Sequence, residues 1–466
     1  MKVCRQTTMK RPLTVFAIVA SWLVTLPLFP APPNVLVILA DDLGHADVGF
    51  NGGKVIATPN LDRLAATGVT LGDFRTCPMC SPTRAGLMTG RWPVRFGLMR
   101  AVVPPWSGYG LPQAENTLAE LLSQAGYARR GVTGKWHLGH AKPEYHPLAQ
   151  GFTRFVGCYN GAIDYFTHER DGETDWHHDR ASVKAEGYST DLIGAEAVRF
   201  IRESPEGKPW LLYVPFNAPH SPFQAKEVDM RKYPQIIMKD RRAYAAMVDC
   251  MDQAIGKILA EVEGRADADN TLVLFFSDNG GIPKVGSSNA PYRGAKLTVY
   301  EGGTRVCAAM RWPAGGVKGG GRYEGRVGYI DVLPTVFAAA GAKLPENLDG
   351  VDFLPALRGE GTLPERPWFS YMHQNKEALA SVHLGSWKLV AKGDFFAEGP
   401  SEKTVLELYD LAKDVKEAQD LAAQHPQKVA ELHRRLREFG TWQRPGVTPY
   451  GEGRDGFVAP KDWNIQ

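Results

Sequence analysis

Basic clusters are missing from this 466-residue chain once its first eleven residues are passed. Lys2, Arg5, Lys10 and Arg11 form the one such group, and no Lys/Arg-rich run follows, which argues against a nucleic-acid or membrane-surface binder. Residues 1–31 hold four basic and no acidic side chains, so the formal charge of +3 becomes −1 over the remainder. Long apolar runs are scarce too. The run Leu13–Phe29 is short for a membrane span of about 20 residues, and its basic preface gives it the layout of a secretory signal. Cleavage is expected near Ala31; Phe29 and Pro32 make a poor cleavage site, so an uncleaved anchor stays open. Export to a periplasmic, extracellular or lumenal space follows, membrane-anchored if the segment is retained, with no further transmembrane domain. Repeats and low-complexity tracts are absent. Cysteine is sparse, six in all. Loss of Cys4 leaves Cys77, Cys80, Cys158, Cys250 and Cys307, an odd number that fits one being diverted to chemistry in an oxidising compartment.

What is present is an ordinary globular composition, 44% hydrophobic and 23% charged, long enough for one large domain and a smaller one. Apolar strand-like runs alternate with helical patterns, which predicts an α/β fold with a largely parallel sheet. Val35–Ala40, Trp210–Phe216 and Thr271–Phe276 read as buried strands. Thr58-Pro59 opens a helix carrying Leu61, Leu64 and Ala65, stopped by Gly68; another carries Leu118, Leu121 and Leu122 and ends at Gly126. A long helix spaces Tyr244, Met247, Val248, Met251, Ile255 and Ile258 along one core face. Gly and Pro thicken from Gly359 to Pro367, which sets expected units at 1–31, 32–362 and 363–466. In the last unit, Ser381–Val390 and Val405–Tyr409 read as strands and Gln427–Phe439 as an amphipathic helix.

The telling polar residues fall just past the carboxyl ends of the buried runs. Asp41-Asp42 follows the first, Lys135-Trp136-His137 a short segment around Ala128–Val132, His220 the run ending at Phe216, and Asp278-Asn279 the run ending at Phe276. Ligand sites of open α/β sheets lie outside those strand ends, so these groups should converge. Asp41, Asp42, Asp278 and Asn279 offer oxygen ligands suited to a hard cation such as calcium or magnesium. Asp278-Asn279-Gly280-Gly281 would, alone, read as a tight turn, and a lone His or Lys as structural or solvated. Arg84, Lys135, His137, His220 and Lys296 together supply positive charge and proton carriers for an anionic ester.

Cys80-Ser81-Pro82-Thr83-Arg84, continuing to Thr89-Gly90-Arg91, sets a thiol at a helix start with an arginine in reach. Ser81 suits the N-cap, Pro82 the first helical position and Gly90 the end. The positive helix terminus should lower the thiol pKa and attract anions. Cys77 and Cys80 also form a C-x-x-C, the mark of redox chemistry in a small βαβ protein; the chain is far too long for a lone domain of that kind.

This C-x-P-x-R stretch resembles the signature of the type I sulfatases, the formylglycine-dependent enzymes of the alkaline-phosphatase superfamily. Asp41-Asp42-Leu43-Gly44, Gly134-Lys135-Trp136-His137-Leu138-Gly139, His220-Ser221-Pro222-Phe223, Ser277-Asp278-Asn279-Gly280-Gly281 and Leu408-Tyr409-Asp410-Leu411 look like further family strings. Phe96-Gly97-Leu98 and Asp164-Tyr165-Phe166-Thr167-His168-Glu169 are similar to the arylsulfatase B branch. The resemblance implies a large mixed sheet flanked by helices, then a smaller antiparallel sheet with a helix. It implies a sulfuric ester hydrolase of arylsulfatase type acting on sulfated saccharides. Cys80 would be oxidised to formylglycine (3-oxoalanine) by a formylglycine-generating enzyme and would hydrate to a diol. Asp41, Asp42, Asp278 and Asn279, with the modified Cys80, would bind one calcium ion. Arg84 would hold the modified residue, and Asp278 would help activate the hydroxyl that attacks sulfur. His220 and Lys296 would neutralise charge and protonate the leaving alcohol, His137 would take the proton that lets the aldehyde reform, and Lys135 would stabilise the sulfate oxygens.

Departures from the family pattern carry expectations of their own. Thr83 stands where serine is frequent but keeps a hydroxyl. His45-Ala46 replaces a more usual Tyr-Gly and should alter the pocket wall. Cys77 should be unpaired with Cys80, since that disulfide would block maturation. Trp176, His177 and His178, with His168, Glu169 and Asp175, are candidate sugar contacts, Trp176 by stacking on a pyranose and the histidines by meeting acidic groups. A polar surface loop is the alternative for that stretch. The rival activity is a phosphonate or phosphate monoester hydrolase of the same superfamily. A silent glycan binder would be expected to lack the nucleophile or the metal residues, and both are here.

Overall fold

The computed structural model describes Met1 and residues 31–374, 377–396 and 403–465. Residues 2–30, and so almost all of the expected signal or anchor, lie outside the described residues; among the described ones no helix is long and apolar enough to cross a membrane.

Eight strands build most of an 11-stranded sheet: β1 (Asn34–Ala40), β2 (Val69–Arg75), β3 (Arg129–Lys135), β4 (Arg154–Cys158), β5 (Trp210–Pro215), β6 (Thr271–Ser277), β7 (Ala308–Arg311) and β8 (Gly321–Gly328). Their order is β2-β7-β6-β1-β5-β3-β4, with β8 beside β2 and two-residue strands at both margins. The block β6-β1-β5-β3-β4 is parallel, whereas β7 runs antiparallel to β6 and β2.

Strand β1 explains the layering. Its apolar run is unbroken because both faces are covered. Val35, Val37 and Leu39 enter one core with Ala85, Leu87, Leu118 and Leu122, while Leu36, Ile38 and Ala40 enter the other with Tyr244, Met247, Met251, Ile255 and Ile258. Each fully buried Val, Leu or Ile contributes about 1.5–3 kcal/mol relative to exposure. The expected helices are observed at Pro59–Thr67, capped by Gly68, at Leu118–Gln124, and at Lys239–Glu263.

A smaller antiparallel sheet follows: β9 (Trp368–Met372), β10 (Leu379–Leu384), β11 (Trp387–Lys392) and β12 (Val405–Asp410), paired in chain order. The helix Pro426–Gly440 lays Leu432, Leu436 and Phe439 into the core shared with this sheet. The expected single strand Ser381–Val390 is a hairpin, β10–β11, because Gly385 takes φ +60 at its turn. Strand β9 escaped sequence reading.

The signature helix also differs from expectation. It spans Cys80–Thr89 with extended Met79 at the N-cap, so Ser81 and Pro82 are the second and third residues of its first turn. Ser81 Oγ instead accepts the Val103 N–H (3.0 Å), and Thr83 Oγ1 accepts the Cys77 N–H (2.9 Å). These two bonds tie the preceding and following loops to the helix. Gly90 ends it as expected, at φ +64.

Candidate active site

The parallel strands deliver their polar ends to one place. Asp41-Asp42 leaves β1, Lys135-Trp136-His137 closes β3, Asp278-Asn279 leaves β6, and His220 follows β5. Helix Cys80–Thr89 lies with Cys80 on the floor of a cavity of about 410 Å³, whose wall also includes His137, His220 and Lys296. Ligating atoms of Asp41, Asp42, Cys80 and His220 all lie within 4.8 Å of one another. Cys80 Sγ is 3.4 Å from Asp41 Oδ1 and 3.5 Å from Lys296 Nζ.

Close backbone approach makes this packing feasible. A Cβ on Gly280 would stand 1.8 Å from the Gly302 oxygen, so only glycine lets the Asp278-Asn279 turn meet the segment after Lys296. A Cβ on Gly161 would stand 2.5 Å from the His137 ring. Asp42, His137 and Leu297 hold φ of +66, +56 and +64. Such left-handed backbone in non-glycine residues clusters where a site imposes it.

Charge is dense and buried. Lys296 Nζ lies 2.7 and 2.9 Å from the two Asp42 oxygens, and His220 Nε2 lies 3.6 Å from Oδ2. Burial pushes the Asp42 carboxyl up, yet Lys296 and His220 more than offset it and hold the group at about 2. Burial, then Lys296, pushes His220 down to about 3. Burial, then Asp41, pushes Asp278 up to about 6, the signature of crowded carboxylates. The expected lowering of the Cys80 thiol is not found: burial, then Asp278 and Asp41, raises its pKa above the ordinary thiol range and outweighs the opposing charges of Lys135 and Lys296.

The residues fit a hard divalent cation. Asp41, Asp42 and Asp278 are fully buried acids, and the buried Asn279 Oδ1 has no hydrogen-bond partner while its Nδ2 donates to Asp42 Oδ1 (2.8 Å). Asp278 Oδ1 accepts the Asp42 N–H at 3.2 Å, beside the Asp41/Asp42/Cys80/His220 cluster.

Other expected groups have different partners. Arg84 donates from Nε (3.2 Å) and Nη2 (2.9 Å) to Asp278 Oδ2 and from Nη1 to the Lys135 carbonyl (2.8 Å), so its expected hold on position 80 is here a hold on Asp278. Lys135 pairs with Asp41 and is wholly buried. His137 Nε2 donates to the Val103 carbonyl (3.0 Å), which leaves Nδ1 unprotonated and without a partner. Cys77 is free, its sulfur 3.1 Å from the Tyr329 hydroxyl. His45 does not form the cavity wall. It is buried behind the aspartates, near the Ala290 carbonyl (3.2 Å) and edge-on to Tyr292.

The expected sugar contacts are also displaced. Trp176 is 1% exposed and packs against His168; His177 is wholly buried and stacks on Tyr159 at 4.0 Å. His178 lies on the sheet margin next to β4. None of the three lines the Cys80 cavity, since apolar packing beyond β4 draws the two rings inward. The cavity lining includes Arg170, Gln374 and Tyr450 instead. No local sequence pattern marks these three.

A cysteine helix start flanked by buried carboxylates and cations at the strand ends of such a sheet defines a hydrolase of anionic esters. The chain belongs to the sulfatase family: the Sulfatase family model matches residues 33–342, and that for the C-terminal part of N-sulphoglucosamine sulphohydrolase matches 295–441. It is a sulfuric ester hydrolase with the alkaline-phosphatase-like architecture. Among relatives, human N-acetylgalactosamine-6-sulfatase is 36% identical, over 77% of this chain and 71% of its own length. Mouse arylsulfatase J is 31% identical, over 87% and 75%. The crystal structure of Ps i-CgsB in complex with k-i-k-neocarrahexaose is 33% identical with a TM-score of 0.83, covering 90% of this chain and 95% of that one. These matches define the family; they do not single out the arylsulfatase B branch.

Proposed function

We propose that this enzyme removes sulfate from sulfated saccharides, with residues 32–362 as catalytic domain and 363–466 as C-terminal subdomain, after export by its N-terminal segment. The observation that carries the reading is Cys80 on the cavity floor, within the Asp41, Asp42 and His220 cluster and 3.5 Å from Lys296 Nζ. The names of the relatives, which specify a sulfated amino sugar and a carrageenan-type oligosaccharide, support a sugar substrate. Asp41, Asp42, Asp278, Asn279 and the residue made from Cys80 would hold one calcium ion. When present, the ion supplies Lewis acidity and the formylglycine made by a formylglycine-generating enzyme supplies the nucleophilic oxygen.

The other side chains set charge and protons. Lys296, facing the cavity, neutralises the ester oxygens and provides a proton to the leaving alcohol; His220, held neutral by burial and Lys296, shares that role only in its protonated form. His137 is oriented by its bond to the Val103 carbonyl, so Nδ1 is the free base for the returning step. Arg84 fixes Asp278 by two bonds, and Lys135 adds fixed positive charge behind Asp41.

The test is a panel of defined sulfated saccharides, assayed with enzyme co-expressed with a formylglycine-generating enzyme and supplied with calcium. Sulfate release from one linkage, lost in Cys80→Ala, is the expected result. Silence across the panel with Cys80 shown to be converted would falsify the saccharide reading and favour a phosphonate or phosphate monoester as substrate.

A further inference from the structure

Among the described residues, the cavity beside Cys80 is lined by no carboxylate, although the buried Asp41, Asp42 and Asp278 lie close to Cys80. Of its wall cations, Lys296 is committed to Asp42 at 2.7 Å and lies 3.5 Å from Cys80 Sγ. The other permanent cation among the described lining residues, Arg170, belongs to a different part of the fold. It sits on the two-stranded ribbon Glu169–Arg170 and Glu173–Thr174.

This arginine is held from several sides. The Trp463 indole N–H donates to the Arg170 carbonyl (2.9 Å), and the Asp462 N–H donates to Glu173 Oε2 (2.9 Å), so the C-terminal tail clamps both ribbon strands. Trp463 is itself buried. At the side chain, Arg170 Nη2 donates to the Tyr450 hydroxyl (3.0 Å), and Tyr450 packs edge-on against Trp106 with ring centres 4.8 Å apart. Its acidic neighbour, Asp171, is 3.2 Å from Nε but 37% exposed. An exposed pair of that kind is weak and yields to a better-placed anion. A guanidinium pre-oriented in the wall of a cavity whose described lining holds no carboxylate favours an anionic partner over a neutral one.

We propose that Arg170 is a specificity-determining residue that binds a second anionic group of the substrate, the sulfate or carboxylate of a sugar adjoining the one that loses sulfate. This rests on the saccharide-sulfatase reading above. Tyr450 is a positioning residue that aims the guanidinium.

The test uses calcium-loaded enzyme with converted Cys80 and three disaccharides with the same scissile sulfate. The neighbouring sugar carries a hydroxyl, a sulfate or a carboxylate at one position. Wild type should favour an anionic arm about 10–100-fold in kcat/KM, the range expected for a charge-assisted contact, and the favoured arm identifies the group. Arg170→Met should erase that preference chiefly through KM, bringing the anionic arms down to the level of the neutral one. Tyr450→Phe, which keeps the ring, should reduce the preference partly, and it serves if Arg170→Met fails to fold. Equal wild-type kcat/KM on all three arms, or an equal fall on all three in both variants, overturns the role of Arg170 while leaving a saccharide sulfatase intact. Turnover of an aryl sulfate but of none of the three arms overturns the saccharide reading and this inference with it.

Discussion

Two clusters of buried charge stand near each other in this protein, built from the same residue types to opposite ends. One lies between the large and small sheets. Arg75, at the end of β2, meets both Glu301 oxygens at 2.6 Å and Asp73 at 2.5 Å. Lys388, on β11, sits 2.8 Å from Glu301 and 2.8 Å from Glu417, and Glu417 accepts the Glu301 N–H at 2.7 Å. Burial opposes the Glu301 charge, but Arg75 and Lys388 hold its pKa well below the ordinary range. The other cluster is the Cys80 site. There Asp278 is pushed up, Asn279 Oδ1 lacks a partner, and His220 and Lys296 remain 17% and 12% exposed to the cavity. A sealed set of ion pairs serves as a joint between two sheets. A set whose cations open onto a cavity, beside an amide oxygen with neither hydrogen bond nor ion pair, is equipped for a ligand; Glu417 Oε1, also without a hydrogen bond, is ion-paired to Lys388.

Experiments that separate the two clusters have effects of graded size. Cys80→Ala should lower sulfate release by about 10³-fold or more with little change in thermal unfolding; a comparable loss of stability would place Cys80 among the joints. Removal of the cation by a chelator should abolish turnover and lower the melting temperature, and calcium should restore both. The stabilisation expected at a hundredfold excess over Kd is about 2.7 kcal/mol. Unchanged melting on calcium addition would count against the cation site.

Lys388→Met should do the reverse, costing about 3–5 kcal/mol in denaturant titration because it leaves the buried Glu417 carboxylate without a cation while Glu301 keeps Arg75. Its kcat, measured where the variant is folded, should fall far less than that of Cys80→Ala.

A gentler contrast comes from His146, remote from both clusters. Its Nδ1 accepts the Leu148 N–H and its Nε2 donates to the Asp179 carbonyl, each at 3.0 Å. Burial, then Arg180, pushes its pKa down to about 4. Between pH 6.5 and 4 the unfolded imidazole binds a proton that the folded one does not, so stability falls as pH is lowered. Urea titrations at pH 7 and 5 should show this fall, with a shallower slope in His146→Gln. The smallest effect belongs to Cys77→Ser. Activity should stay within about twofold, since the Cys77 sulfur meets Tyr329 and not Cys80; complete loss would revive a redox role.

Much of the chemistry was legible because it is local. The unbroken apolar runs of β1, β5 and β6 could only be strands covered on both sides, and the polar residues after them had to share one edge of a parallel sheet. The long helix was legible from its spacing, and the C-x-P-x-R string from its residues. The capping of that helix was misread, since Ser81 and Thr83 find their partners at Val103 and Cys77 through loop packing. Trp176 and His177 were misread for a related reason. Aromatic side chains in a polar stretch look available to sugar, and only the fold reveals that packing on His168 and Tyr159 has already used them.

The sequence by itself determined the fold class, the family and the residues that could serve as nucleophile, metal ligands and proton carriers, because hydrophobic period and short motifs record local constraints. Tertiary structure alone decided which partner each buried charge takes: Arg84 with Asp278, Lys135 with Asp41, Lys296 with Asp42. It alone brought Arg170 and Tyr450, 280 positions apart, together in the lining of the Cys80 cavity. Ion pairing and cavity shape depend on distances between segments that only the packed sheets and the closing tail establish.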